Sequence, residues 1–131
     1  MRSIGQRGEL LVAERLLEQD WSIAHPLSDT SPFDLIAAKG DRFLRIQVKA
    51  TLKQHSYPSS RRHYQFQLAK GLSSKKRYTK SEVDFFVCCA LDSHRFWVIP
   101  LAEVGTLTLK IYSGTGGKFH QFENAWVLLE K

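Results

Sequence analysis

The sequence predicts an α/β domain in which a mixed central β-sheet is flanked by helices. Helical periodicity is confined to the two ends of the chain, at residues 3–19 and 118–126. The segments between them alternate polar and apolar residues or are almost wholly apolar, as strands do. The length of 131 residues suits one domain with a core and is too short for two, so we expect a single domain over residues 1–131.

The predicted N-terminal helix is amphipathic, but its apolar face includes a carboxylate. Val12 and Leu16 lie within about 60° of Glu9 when the helix is drawn at about 100° per residue. A carboxylate on an apolar face is costly without a partner, which favours a functional role for Glu9. The alternative is a rim position near the helix start, favoured by the helix dipole. Leu11 falls on the polar side, where it can contact a partner subunit.

A short strand at residues 21–27 is predicted next, followed by two strands and a tight turn. The strands cover residues 33–38 and 42–51, and the turn is Lys39-Gly40-Asp41. The strand at 42–51 alternates: one face carries Leu44, Ile46, Val48 and Ala50, and the other Phe43, Arg45, Gln47, Lys49 and Thr51. A half-buried strand has no packing need for such a polar face.

The remaining elements follow from the same patterns. Further strands are predicted at residues 63–68, 83–91, 96–99 and 106–112, with a helical turn at 101–104 and a last helix at 118–126. The strand at 83–91 is almost wholly apolar and should be buried on both faces. It contains Cys88 and Cys89, which we expect to be buried free thiols in a reducing compartment rather than zinc ligands. Phe119, Phe122 and Trp126 share one face of the last helix.

The positive charge is concentrated in one stretch. Of the nineteen Lys and Arg, eleven lie between residues 42 and 81, which contain no Asp or Glu, whereas the rest of the chain is acidic. Such a localised field suits a polyphosphate backbone. The residues predicted to contact DNA are Arg45, Lys53, Arg61, Arg62, His63, Gln65, Gln67, Lys75, Lys76 and Arg77. Gln65 and Gln67 can read adenine edges, although solvated strand polar groups are the simpler interpretation.

The polar face at residues 42–51 has the composition of a phosphodiesterase site. Asp34 and Glu9 supply carboxylates, Gln47 an amide oxygen and Val48 a main-chain carbonyl, which together can hold Mg²⁺, with Mn²⁺ as a substitute. Lys49 projects from the same face as Gln47 and can hold the attacking water or stabilise charge on the phosphate. Each side chain also has a plain alternative: a turn cap for Asp34, and solvated strand positions for Gln47 and Lys49.

The arrangement resembles the PD-(D/E)XK nuclease superfamily, and in particular its branch of group I intron homing endonucleases. The stretches that carry the resemblance are GQRGELLVAERL, SPFDLIA, RIQVKAT, VDFFVCCALDSHRFWVIPLAEV and FENAWVLLEK. It implies a restriction-endonuclease-like core, magnesium at Asp34 and Glu9, and Lys49 as the catalytic lysine. Gln47 departs from the usual Asp or Glu, and the intron-endonuclease branch is similar in having Gln there.

The sequence therefore predicts a Mg²⁺-dependent DNA endonuclease that hydrolyses phosphodiester bonds. One alternative is a nuclease similar to Holliday-junction resolvases, acting on branched DNA, and another is a non-catalytic DNA-binding module. One site per chain favours a homodimer or homotetramer for cutting two strands. No apolar run approaches the roughly 20 residues of a membrane span, and the N-terminus lacks a signal sequence, so a cytoplasmic protein is expected.

Overall fold

The structure, a computed structural model, describes residues 3–56, 61–70, 76–112 and 117–131. Within these ranges lie α1 (Ile4–Glu18), β1 (Ser22–Ala24), β2 (Leu35–Lys39), β3 (Arg42–Thr51), β4 (His63–Gln67), β5 (Phe85–Ala90), β6 (Arg95–Pro100) and β7 (Thr108–Tyr112). Short 3-10 helices cover Leu101–Glu103, His120–Phe122 and Trp126–Glu130. In this part of the chain, no helix is long and apolar enough to cross a membrane.

Five strands form a mixed central sheet in the order β1-β2-β3-β5-β6. Only the β3–β5 pair is parallel, and the other three neighbouring pairs are antiparallel. The predicted α/β class and mixed sheet are therefore confirmed. β4 and β7 form a separate two-stranded antiparallel sheet, which the sequence did not predict.

The helix α1 packs closely on β3 because of a glycine. Ser3 caps the helix by accepting a hydrogen bond from the Gln6 N–H (3.1 Å). Gly8 is buried, and a Cβ at this position would lie 2.6 Å from the Cβ of Ala50 in β3. The absent side chain lets the backbone of the helix approach the strand, which fixes where the following Glu9 lies.

Apolar side chains fill both faces of the central sheet. The first core lies between α1 and the sheet, and the second lies between the sheet and the β4–β7 pair. β5 is buried along its whole length and contributes to both cores, and Cys88 and Cys89 within it are buried free thiols, as expected. Leu11 is partly buried and packs against the first core, so its predicted position on the polar side of α1 is wrong.

The predicted last helix at residues 118–126 is also wrong. The chain there makes tertiary contacts with β6 instead: Glu123 forms an isolated bridge with Trp97, and the Asn124 N–H donates to the Phe96 carbonyl (2.9 Å). Asn124 takes a left-handed conformation (φ 55°), which interrupts a right-handed helix. Phe122 still packs into the second core, as the apolar pattern indicated. Among the described residues, α1 is the one α-helix that flanks the sheet.

Candidate active site

Asp34 lies beside Gln47 and Val48 where β2 meets β3. Its N–H donates to the Ile46 carbonyl (2.9 Å), which extends the β2–β3 ladder by one residue. Its Oδ2 accepts a hydrogen bond from the Val48 N–H (2.8 Å). Since the N–H and C=O of a strand residue point to the same edge, the Val48 carbonyl is directed toward this end of β2. The predicted neighbours are thus brought together.

The side-chain amide of Gln47 faces Asp34 and has two possible orientations. In one, its nitrogen donates to the carbonyl oxygen of Pro32 (3.0 Å) and to Asp34 Oδ2 (3.2 Å). In the other, the amide oxygen faces those same two oxygen atoms. Three converging oxygens repel one another unless a cation lies among them, and oxygens are the ligands that Mg²⁺ prefers. The donor set therefore fits magnesium when the amide turns its oxygen inward.

Glu9 approaches this oxygen cluster from α1. Its partial burial, together with the charge of Asp34, raises the pKa of Glu9 above its usual value. Burial also raises the pKa of Asp34, although the Val48 N–H and the Lys49 ammonium oppose that change. A bound cation would stabilise both carboxylates in their charged forms.

Two carboxylates alone do not make a metal site here. Across residues 3–56, 61–70, 76–112 and 117–131, no cluster of three or more His, Cys, Asp and Glu is placed to hold a metal ion. The candidate site therefore depends on the Gln47 amide oxygen and on main-chain oxygens in addition to Glu9 and Asp34.

Lys49 lies on the side of the central sheet that faces the β4–β7 pair. It is paired in register with the buried Cys88 of β5, and its Nζ lies 5.6 Å from the ring centroid of Tyr78. Burial lowers the pKa of Lys49, and the attraction of Asp34 opposes this. A half-buried ammonium beside a carboxylate and an aromatic ring is well placed to meet a phosphate that enters from solvent.

Tyr78 and His25 belong to the site but were not predicted. Tyr78 packs edge-on against Phe86 (5.5 Å), and burial and then Asp34 raise its pKa. His25 Nδ1 lies 3.2 Å from the Asp34 carbonyl oxygen and lines a cleft together with Glu9 and Asp34. The antiparallel β1–β2 pairing, which follows from the hairpin pattern, would have placed His25 next to this strand end. No comparable signal points to Tyr78.

The residues predicted to contact DNA differ in accessibility. The exposed ones are Lys53, Arg61, Arg62, Gln67, Lys76 and Arg77, whereas Gln65 is half-buried. Lys75 lies outside the described residues. Gln67 accepts a hydrogen bond from the Thr108 hydroxyl (3.1 Å), and Arg77 donates to the Gly105 carbonyl (2.7 Å). Contacts with DNA at these positions stay predictions.

Arg45 has a structural role that the sequence did not indicate. Its guanidinium binds both carboxylate oxygens of Asp84 (3.1 and 3.0 Å) and donates to the carbonyls of Lys80 and Ser81. Asp84 Oδ2 also accepts the Arg45 N–H (2.7 Å). These bonds join β3 to the segment before β5, and they leave the guanidinium engaged within the domain.

His63 is buried, with 4% of its surface exposed, although alternation placed it on the polar face of β4. Its Nδ1 lies 2.9 Å from the Arg61 carbonyl oxygen, and its ring stacks on His55 with centroids 5.5 Å apart. The rings of His55 and Tyr112 lie beside His63, and this burial does not fit its predicted phosphate contact.

Comparison with known proteins identifies the class of nucleases to which this fold belongs. The family model described as PD-(D/E)XK endonuclease matches residues 1–125, and the chain belongs to this family. Among solved structures, a bacterial homing endonuclease, I-Ssp6803I, has the same fold: the TM-score is 0.79 at 19% sequence identity, over 96% of this chain and 90% of that one. The comparison with curated proteins gave no match. The expected family and restriction-endonuclease-like fold are confirmed.

Proposed function

We propose that this protein is a Mg²⁺-dependent DNA endonuclease of the homing type. The observation that carries the proposal is the convergence of Asp34, Gln47 and Lys49 at one end of β2 and β3, with Glu9 beside them. Membership of the PD-(D/E)XK endonuclease family supports hydrolysis of DNA phosphodiesters, and the structural likeness to a bacterial homing endonuclease supports the type.

In this proposal the oxygen-bearing residues hold the metal. Asp34, Glu9, the Gln47 amide oxygen and the Val48 carbonyl bind Mg²⁺, and Mn²⁺ can substitute because it accepts the same ligands. The bound ion supplies a water of lowered pKa and neutralises charge on the phosphate. Without the ion, the Gln47 nitrogen donates to the Pro32 carbonyl and to Asp34 Oδ2, so the amide must turn over for its oxygen to bind the metal.

Lys49 has a separate task in the reaction. Its half-buried ammonium, beside Asp34 and Tyr78, pairs with the scissile phosphate, so that charge developing in the transition state is stabilised. Tyr78 covers part of Lys49 and limits its access to water, which strengthens that electrostatic interaction.

Exposed cations of the positively charged stretch bind the DNA backbone in this proposal. Lys53, Arg61, Arg62, Lys76 and Arg77 are exposed and belong to the positively charged stretch between residues 42 and 81. Contacts with phosphates position the duplex and carry no sequence information. The described residues contain one candidate site, so a homodimer or a homotetramer would bring two sites to the two strands.

The test is cleavage of supercoiled plasmid with Mg²⁺, with Mn²⁺ and with EDTA, comparing the unmodified protein with Lys49→Ala. We expect nicking that depends on the metal and a decrease of about a hundredfold or more in Lys49→Ala. Lys131→Ala removes one exposed ammonium outside the site and should cleave normally. Binding without nicking on plasmid, four-way-junction and single-strand substrates alike would contradict the proposal and favour a non-catalytic module.

A synthetic four-way junction beside a linear duplex of the same sequence separates the two nuclease types. A homing-type enzyme cuts a defined duplex site, whereas a resolvase makes symmetric nicks at the junction with little sequence preference. Cleavage confined to the junction would overturn the homing type but leave the chemistry of the site intact.

A further inference from the structure

We propose that a second cleft, lined by β7 and by residues 117–120, binds an unpaired nucleotide of the DNA substrate. This inference rests on the proposed function, because it assigns a feature of that substrate. The residues that line this cleft, named here the aromatic cleft, include Arg61, Lys110, Tyr112, Lys118, Phe119 and His120. None of these residues belongs to the site at β2 and β3.

The charge of the aromatic cleft suits a phosphate. Arg61, Lys110 and Lys118 are exposed cations. No acidic residue is among the described residues that line the cleft. The carboxylate of Glu123 is close enough to interact with His120, but it is bound at both oxygens by Arg95 (2.8 and 2.9 Å). The cleft therefore presents a positive field to an anion.

The rings of the cleft suit a base. The guanidinium of Arg61 lies 4.4 Å from the centroid of the Tyr112 ring, and the Lys118 ammonium lies 5.3 Å from that of Phe119. Bases stack on aromatic rings and on the flat face of an arginine guanidinium. Tyr112 and Phe119 are both partly exposed. Each of the two rings therefore has a cation beside it, and the pair matches the base and the phosphate of a nucleotide.

The buried His63 holds this cleft in shape. It pairs with Tyr112 across the β4–β7 ladder, and the two ring centroids are 5.2 Å apart. Its Nδ1 lies within hydrogen-bonding distance of the Arg61 carbonyl (2.9 Å), so one side chain positions both Arg61 and Tyr112. A site built in advance binds with a smaller cost in side-chain entropy. This role explains why a histidine on the polar face of β4 is buried.

An unpaired nucleotide fits the aromatic cleft better than duplex DNA does. Stacking requires an open base face, and in a duplex both faces of each interior base are covered by its neighbours. The base would come from a single-stranded end, a gap or a displaced strand next to the cleavage site. A duplex backbone would use the cations but not the rings.

The test measures binding without metal, so it does not depend on cleavage. A single-stranded oligonucleotide of about ten residues carrying one 2-aminopurine is titrated in EDTA, following anisotropy and base fluorescence. We expect quenching of the 2-aminopurine by stacking on the unmodified protein. In Phe119→Leu, which keeps an apolar side chain but removes the ring, we expect the quenching to disappear and the affinity to fall by about fivefold or more.

A thermal melt shows whether Phe119→Leu folds. If it does not, a second variant tests the same cleft, with a control outside it. Lys110→Glu changes an exposed residue of β7, so it should fold normally and bind the oligonucleotide more weakly. Lys131→Ala, with one exposed ammonium removed elsewhere, should bind as the unmodified protein does. Deoxynucleoside monophosphate is expected to compete only at far higher concentration than the oligonucleotide.

Two results would overturn the inference. One is unchanged single-strand binding in both Lys110→Glu and a folded Phe119→Leu. The other is equal competition by a blunt duplex of the same length. Plasmid cleavage together with either result would remove this inference alone, whereas stacking in the cleft without any plasmid cleavage would remove the proposed nuclease activity alone.

Discussion

At the residue scale, Gln47 is the position where this chain departs from the acid usual in its family. Unlike a carboxylate, the amide can donate hydrogen bonds to Asp34 Oδ2 and to the Pro32 carbonyl when no cation is bound. A carboxylate in its place would face two acceptors and add a negative charge close to Asp34. The glutamine thus stabilises the metal-free site, and in the proposed function it would contribute only a neutral ligand to the metal-bound one.

We therefore predict opposite effects of Gln47→Glu on the two states of the site. Without metal the variant should melt below the unmodified protein, because like charges repel. With Mg²⁺ its melting temperature should rise more, and its apparent Kd for Mg²⁺ should fall roughly tenfold, or about 1.4 kcal/mol. Thermal shift in a Mg²⁺ series measures both effects. Gln121→Glu adds the same charge at an exposed position. Equal responses of the two variants would contradict the prediction.

The Arg45–Asp84 pair gives a second prediction at this scale, concerning pH. Burial opposes the charged form of Asp84, but its hydrogen bonds with Arg45 outweigh that effect and lower its pKa. A lowered pKa in the folded state means that the pair stabilises the protein above the usual pKa of an aspartate. That contribution disappears as the pH falls through the folded-state pKa.

Asp84→Asn should accordingly lower the free energy of unfolding by about 1.5–3 kcal/mol at pH 7, because it weakens hydrogen bonds to a charged group. The difference from the unmodified protein should shrink as the pH falls below the usual aspartate value. Urea unfolding over a pH series measures this. Asp41→Asn, in the exposed hairpin turn, is the matched control and should change little. A constant difference at every pH would show that the charge of Asp84 is not responsible.

At the element scale, the contact between α1 and β3 decides where Glu9 lies. Gly8→Ala would place a Cβ 2.6 Å from the Ala50 Cβ, so the helix must move away from the strand. We expect a decrease of about 1–3 kcal/mol in the free energy of unfolding, and weaker Mg²⁺ binding because Glu9 moves with the helix. Urea unfolding and Mg²⁺ titration measure the two effects.

Gly5→Ala is the control for helix propensity, since Gly5 is exposed in the same helix and nothing lies within 4 Å of its Cβ position. That change should stabilise the protein by roughly 0.5–1 kcal/mol, as alanine favours helix over glycine. If Gly8→Ala behaved like Gly5→Ala, the close approach of α1 to β3 would have no influence on the position of Glu9.

Most helices and strands of the fold were predictable from the sequence, but their tertiary pairing was not. The hairpin of β2 and β3 and its polar face follow from alternation and from one glycine turn, and α1 from its apolar face, so most of the site was predictable. Alternation does not say which sheet a strand joins, and the pairing of β4 with β7 was missed for that reason. The prediction of a last helix was wrong because Glu123 and Asn124 form hydrogen bonds with β6. Local helix propensity carries no information about such tertiary contacts.

At the scale of the whole molecule, the fold decides which of the positive charges are available to bind DNA. The positive stretch between residues 42 and 81 begins in β3 and continues through β4 to the segment before β5. Its cations are used in two ways. Arg45 and Lys70 bind Asp84 and Glu82 within the domain, whereas Lys53 and Lys76 are exposed to solvent. Net charge alone therefore overstates the number of cations available to DNA.

The salt dependence of duplex binding measures how many of those cations meet phosphates. The slope of log Kobs against log salt falls by about 0.9 for each phosphate that the protein no longer neutralises. We predict that Lys53→Ala and Lys76→Ala each reduce the slope by about one without changing the melting temperature. Arg45→Ala should instead lower the melting temperature and leave the slope unchanged, because its guanidinium is bound to Asp84. Anisotropy titrations of a labelled duplex in EDTA, from low to moderate salt, measure the slope. A reduced slope in Arg45→Ala, with Lys76→Ala unchanged, would reverse this assignment and make Arg45 the residue that contacts DNA.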